Sequence, residues 1–256
     1  SKYVQEVIAS GFTTDMMGRF ERAFAEALGV AHCMAAPGCT PALHALFLAC
    51  EFTPGDEIIV SPITDYGTVQ GLLAQHLIPV FPDTPPGQIN FSAETIAPHL
   101  SPRTRAILCV HKTGVFCDMD PIVDLAKQHG LMVFEDCCQA IFGRYKGRLA
   151  GTLGDAACFS FDPEKTMGSD TGGCLVTNDA SLHERARYMA QNRAGTMRPN
   201  FGRAHTGIGY AYRMPQCTAA ISLAQLEVVQ ERVAHRDKMA RLLLAQLAEI
   251  PGIRPL

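Results

Sequence analysis

The stretch DMDPIVDLAKQHGLMVFEDCCQA, residues 118–140, decides how the rest of the chain is read. Apolar residues at helical spacing over Asp120–His129 give way at Gly130 to the short apolar run Leu131–Glu135, which predicts a helix followed by a strand covered on both faces. Outward from it, similar runs predict strands at Glu57–Ser61, Ile78–Phe81, Arg105–Val110, Ala157–Phe161 and Gly173–Thr177. Helices are predicted at Thr40–Ala49 and Ser181–Gln191. Strands alternating with helices of matching size imply a three-layer α/β/α domain around a mainly parallel, mixed sheet.

From Gln216 to Ile250 the chain has neither proline nor glycine, and Met239, Leu243, Leu247 and Ile250 recur with helical spacing. One helix covering the core is expected there, compatible with a lead into a second small domain. The division is thus a large domain over 1–235 and, over 236–256, a helix entering a C-terminal domain that is absent or incomplete. The 256 residues carry 22 basic and 25 acidic side chains without blocks of one sign, which leaves no electrostatic footprint for nucleic acid or an anionic membrane. No apolar run reaches the 18 residues of a membrane span. The ten cysteines lie mostly in apolar runs and form neither CxxC nor, with histidine, any spaced zinc pattern, so reduced thiols in a cytoplasmic protein and no metal are expected. Adjacent Cys137 and Cys138 are expected to point to opposite faces.

Three clusters can carry chemistry. APGCTPALHALFLAC, 36–50, starts a helix, with Thr40 as candidate N-cap and Pro41 behind it, and free amides at such a start suit a phosphate. The strand ending in Glu135 and Asp136 is followed by Gln139, which puts a carboxylate where open α/β sheets bind ligands. A protonated ring nitrogen would be a fitting partner for it. In FSFDPEKTMGSDTGG, 159–173, Ser160 precedes Lys165 by five residues, and a lysine amine whose environment lowers its pKa can attack a carbonyl.

That order of residues, within GDEIIVSPITDYGTV (55–69), PVFPD (79–83), SPRTRAILCVHKTG (101–114), the long run 118–173 and GYAYRMPQCTAAISLAQLE (209–227), resembles the DegT/DnrJ/EryC1/StrS family of pyridoxal-phosphate-dependent sugar aminotransferases. The resemblance implies the type I aspartate aminotransferase fold and a homodimer. It also implies transfer of an amino group from glutamate or glutamine to a keto group on a nucleotide-linked sugar or a cyclitol. Lys165 would be the internal aldimine lysine, Asp136 the partner of the pyridine nitrogen and Gln139 a neighbour of the ring oxygen. Cys39, Thr40 and Ser160 would hold the phosphate. Weaker substrate contacts fall to His111, Lys112 and Asn192. The chain departs from the family at Asp65, where an aromatic residue usually stacks on the cofactor and only the adjacent Tyr66 could substitute. It departs again at Cys39, usually glycine, and at Ala211, often asparagine. Other classes open at this point are a sugar dehydratase, in which histidine replaces the lysine, a cofactor-free lysine aldolase, and a truncated non-catalytic relative with a binding or regulatory role.

Overall fold

A computed structural model describes residues 1–191, 197–198, 202–203 and 209–253, so Asn192 lies outside the described residues. The chain begins with α1 (Lys2–Ala9) and α2 (Met16–Leu28). Asp15 caps α2 by accepting from Gly18 N at 3.0 Å, and Gly29 ends it at φ 78°. Met16, Phe20, Phe24 and Leu28 fall on one face of α2 and are buried.

There follow β1 (His32–Ala36), α3 (Cys39–Ala49), β2 (Glu57–Val60), α4 (Tyr66–Ala74), β3 (Ile78–Val80), α5 (Ala93–Ile96) and β4 (Thr104–Val110). Next come α6 (Met119–His129), β5 (Met132–Asp136), the small ribbon β6 (Arg144–Tyr145) and β7 (Arg148–Leu149), β8 (Ala156–Ser160) and β9 (Gly173–Thr177). Beyond α7 (Ala180–Gln191) lie a second ribbon, β10 (Met197–Arg198) and β11 (Gly202–Arg203), and then α8 (Gln216–Leu226) and α9 (Val229–Ala248).

Seven strands form the main sheet in the order β1-β9-β8-β5-β4-β2-β3, and β9 alone runs against the other six. Successive side chains alternate between the faces. In β8, Ala157 and Phe159 join Phe20, Phe24 and Phe161 under α2 and α8, while Ala156 and Cys158 join Leu43, Leu46 and Phe47 of α3. Both faces of the sheet are therefore dry, which is why its strands read as unbroken apolar runs. Cys137 and Cys138 do part to opposite sides, the first into the α2 layer and the second against the α3 layer. All ten cysteines are free thiols.

Three local expectations need correction. Gly38, in extended conformation, is the N-cap of α3, not Thr40; Cys39, Thr40 and Pro41 fill its first turn, and Ala42 N closes the first bond onto Gly38 O at 3.2 Å. The stretch 216–250 is two helices, because the chain turns at Glu227–Val228, where Tyr3 Oη and Lys2 both hold the Glu227 carboxylate. Finally, α9 does not cover the core. Val229 is buried and Val233 packs against the α2 layer, but Met239, Leu242, Leu243 and Leu244 are exposed.

Candidate active site

The site lies at the C-terminal ends of β5 and β8, beside the beginnings of β9, α3 and α4. Gly173 opens β9 against the first turn of α3 so closely that a Cβ there would stand 2.5 Å from Cys39 N and 2.6 Å from Phe159 O. Only glycine lets this strand end and this helix end meet, with Gly172 before it at φ 122°. Similarly, a Cβ on Gly67 in α4 would lie 2.6 Å from Thr40 Oγ1. These contacts press the amides of Cys39 and Thr40, which no carbonyl of α3 can satisfy, toward a cleft of about 240 Å³.

Cys39, Thr40, Asp65, Lys112, Asp136, Gln139, Ser160 and Lys165 all line that cleft. Asp136 is buried at the end of β5, where its Oδ2 accepts from Thr68 Oγ1 at 2.8 Å and its Oδ1 from Cys138 N at 3.1 Å. Thr68 is tied in turn to Thr64 Oγ1 at 2.7 Å. Both carboxylate oxygens are thus fixed, and each keeps a lone pair. Ser160 Oγ donates to Asp162 Oδ2 at 3.1 Å, and the Lys165 turn closes through its N–H onto Asp162 O at 3.0 Å. Gln139 Oε1 accepts from Thr113 N at 2.6 Å, which pins it to the loop carrying Lys112.

Two expected members are not brought to the cleft. Tyr66 is 66% exposed at the first position of α4 and lines no part of it, whereas the adjacent Asp65 does, as N-cap of α4 accepting from Gly67 N at 3.0 Å. The ring of His111 is wholly buried on the other side of the sheet, 4.5 Å from that of Phe116, and cannot touch a substrate. Its Nε2 lies 2.9 Å from Glu135 Oε2. Glu135 also accepts from Gly151 N, Leu153 N and Gly154 N at 2.8–3.0 Å, so it organises the loop before β8. Burial opposes charge on His111, but hydrogen bonds to Cys117 and Glu135 outweigh it and raise its pKa to about 9. Nε2–H donates to that carboxylate in either protonation state; the full negative charge of an unexposed Glu135 favours the imidazolium, at the expense of the 3.4 Å contact from Cys117 N to Nδ1.

Residues the sequence reading left without a role are Thr68, Cys138 and Asp162. Thr68 had a signal, since it follows the N-cap Asp65 by three residues and so stands in the first turn of a helix that begins at the sheet's C-terminal edge.

This geometry can be set beside known proteins. The DegT/DnrJ/EryC1/StrS aminotransferase family matches the chain over residues 1–256. The chain belongs to that family. A GDP-perosamine synthase from Caulobacter vibrioides is 38% identical over 231 residues, 90% of this chain and 62% of that protein. Among solved structures, an aminotransferase from Psychrobacter cryohalolentis superposes with a TM-score of 0.91 at 31% identity, covering 97% of this chain and 66% of the other. TlmJ, an aminotransferase from Streptoalloteichus hindustanus, has the same TM-score at 32% identity, covering 100% and 71%. This DegT/DnrJ/EryC1/StrS chain therefore spans about two thirds of the length of such relatives, and it has the α/β aminotransferase fold that the resemblance implied.

The residues present fit pyridoxal phosphate. The free amides at the start of α3 and the Ser160 hydroxyl suit its phosphate, and the anchored Asp136 carboxylate and the Lys165 amine line the same cleft.

Proposed function

We propose that this chain is the cofactor-binding part of a pyridoxal-phosphate-dependent aminotransferase that moves an amino group from glutamate or glutamine to a keto group on a nucleotide-linked sugar or cyclitol. The observation that carries the reading is the meeting of Lys165, Asp136, Ser160 and the first turn of α3 at Cys39 and Thr40 on one cleft from three separate stretches of chain. The family membership and the GDP-perosamine synthase relative support the substrate class.

Pyridoxal phosphate, when bound, supplies an electron sink that makes the donor's α-proton acidic. Asp136, held by Thr68 and the Cys138 amide, keeps a negative charge against the ring nitrogen and so favours its protonated form. The amides of Cys39 and Thr40 with Ser160 bind the phosphate and fix its depth in the cleft. Lys165 holds the cofactor at rest and moves the proton at the donor Cα. Lys112 offers a positive charge at the mouth to an acidic substrate group. Residues 1–235 form the large domain, 236–256 lead toward a small one, and the active unit is a cytoplasmic homodimer.

The test is Lys165→Ala. Incubated with pyridoxal phosphate, the unmodified protein is expected to acquire a visible chromophore that dialysis does not remove, and to transfer nitrogen from glutamate or glutamine to a ketosugar panel. The variant should lack the chromophore and lose at least about 10⁴-fold in rate. A chromophore that persists in the variant refutes the role of Lys165.

A further inference from the structure

The floor of the same cleft carries two thiols that transamination does not use, beside the carboxylate that it does. Sγ of Cys39, Sγ of Cys138 and a carboxylate oxygen of Asp136 all lie within 4.8 Å of one another. Cys39 enters from the first turn of α3, Asp136 from the end of β5, and Cys138 from the turn after it. Cys158, fully buried in β8, stands against Cys39 on the far side. All three residues line the cleft, Cys39 and Asp136 buried and Cys138 half-buried.

Two thiolates and a carboxylate suit a soft or borderline divalent cation such as zinc, and not magnesium or calcium, which take oxygen donors alone. A tetrahedral zinc with bonds of roughly 2.0–2.3 Å sets its donors about 3.3–3.8 Å apart, so side-chain rotation suffices to close the site. The hydrogen bonds already made to Asp136 leave a lone pair on each oxygen. As each metal–sulfur bond forms, the thiol proton passes to solvent. Lys112 and Lys165, lining the same cleft, offset the negative charge of the donor set, and the fourth position faces the open cleft, where water completes the shell.

We propose that Cys39, Cys138 and Asp136 form a zinc site in the floor of the cleft, and that zinc and pyridoxal phosphate exclude one another because both require Asp136. The exclusion, though not the metal site, rests on the function proposed above. Spaced-motif searches miss the site because its two thiols lie 99 positions apart and meet only through the fold.

Cobalt(II) tests it, as a spectroscopic stand-in for zinc added to the chelator-treated full chain. A near-ultraviolet sulfur-to-cobalt band is expected at one equivalent, abolished by one equivalent of Zn²⁺. Cys138→Ala should weaken cobalt binding at least about 100-fold, since losing even an outer-shell partner costs 10–100-fold. Cys50→Ala, at the far end of α3, should leave the band unchanged and so separates ligand loss from misfolding. No band, or a band that survives Cys138→Ala, overturns the site. With zinc bound, uptake of pyridoxal phosphate should fall and recover on adding EDTA; full uptake with zinc retained overturns the exclusion. A metal-free chain that takes up no pyridoxal phosphate overturns the cofactor reading and the exclusion with it, while the cobalt band still decides the metal site.

Discussion

The single most consequential side chain outside the cleft is Glu135, next to Asp136 in β5. Its carboxylate has no exposure, three amides of the 151–154 loop, and the His111 ring as counter-charge. His111 N–H also reaches Asp136 O at 3.2 Å, so this buried pair fixes the strand end from which Asp136 enters the cleft. The folded-state pKa of His111 is raised to about 9 from the ordinary 6.5. A raised value means the stabilisation is complete below about pH 6.5 and is lost as pH rises through about 9, worth of order 2–3 kcal/mol. Urea unfolding of the protein across that window should show this decline. His111→Phe should remove most of the slope and, by leaving the buried Glu135 carboxylate without its counter-charge, cost about 3–5 kcal/mol at pH 7. An unchanged slope in the variant would mean that another group titrates. The family resemblance marked His111 as a weaker substrate contact; which side of the sheet a residue past a strand end faces depends on backbone turns that residue identities do not specify.

At the level of elements, the six strands read from apolar runs are present, and Gly173–Thr177 has the expected ends. The one strand of the main sheet that was missed, β1, is HCMAA, whose small and sulfur-containing side chains carry little β-preference; its partner in the sheet is β9, about 140 residues later in the chain. The break between α8 and α9 was likewise invisible, since Tyr3 and Lys2 reach Glu227 from the other end of the chain and no glycine or proline marks the turn. Glycines, by contrast, were informative. Gly173, the start of a predicted strand, is with Gly172 the joint on which the site closes. Gly173→Ala forces a methyl against Cys39 N, Gly38 C and Phe159 O at 2.5–2.6 Å, all backbone atoms with little room to move. The expected loss is about 1–3 kcal/mol of stability. Because the strained contact is the helix start itself, cofactor affinity should fall along with it. Thermal unfolding with and without pyridoxal phosphate would measure both, and a lowered melting temperature with full ligand-induced stabilisation would show that the amides of Cys39 and Thr40 are not the phosphate site.

For the whole molecule, the seven-stranded sheet and its two apolar layers end, on the C-terminal side, at Val229 and Val233 of α9. The first turns of α9 still face the Lys165 loop, where Glu231, Arg232, His235 and Arg236 share a groove with Pro163, Lys165 and Thr166. Beyond them Leu242, Leu243 and Leu244 are 42–55% exposed, an apolar surface that plays no part in holding the sheet together. The periodicity of 239–250 was therefore legible as a helix but not as to what it packs against, because a helical apolar stripe looks the same whether its partner is the adjoining core or another body. Two substitutions distinguish the regions. Phe24→Ala, in the centre of the aromatic cluster with Phe20, Phe142, Phe159 and Phe161, should cost about 3–5 kcal/mol of the large domain's unfolding free energy. Leu243→Lys, 55% exposed and outside both layers, should change that free energy by less than about 0.5 kcal/mol while reducing any association of α9 with a further surface. Denaturant unfolding followed by the near-ultraviolet signal of the domain, beside light scattering of the same samples, reads the two effects separately. A loss above 1 kcal/mol on Leu243→Lys would show that α9 braces the sheet along its whole length, and the boundary near residue 235 would have to move toward the end of the helix.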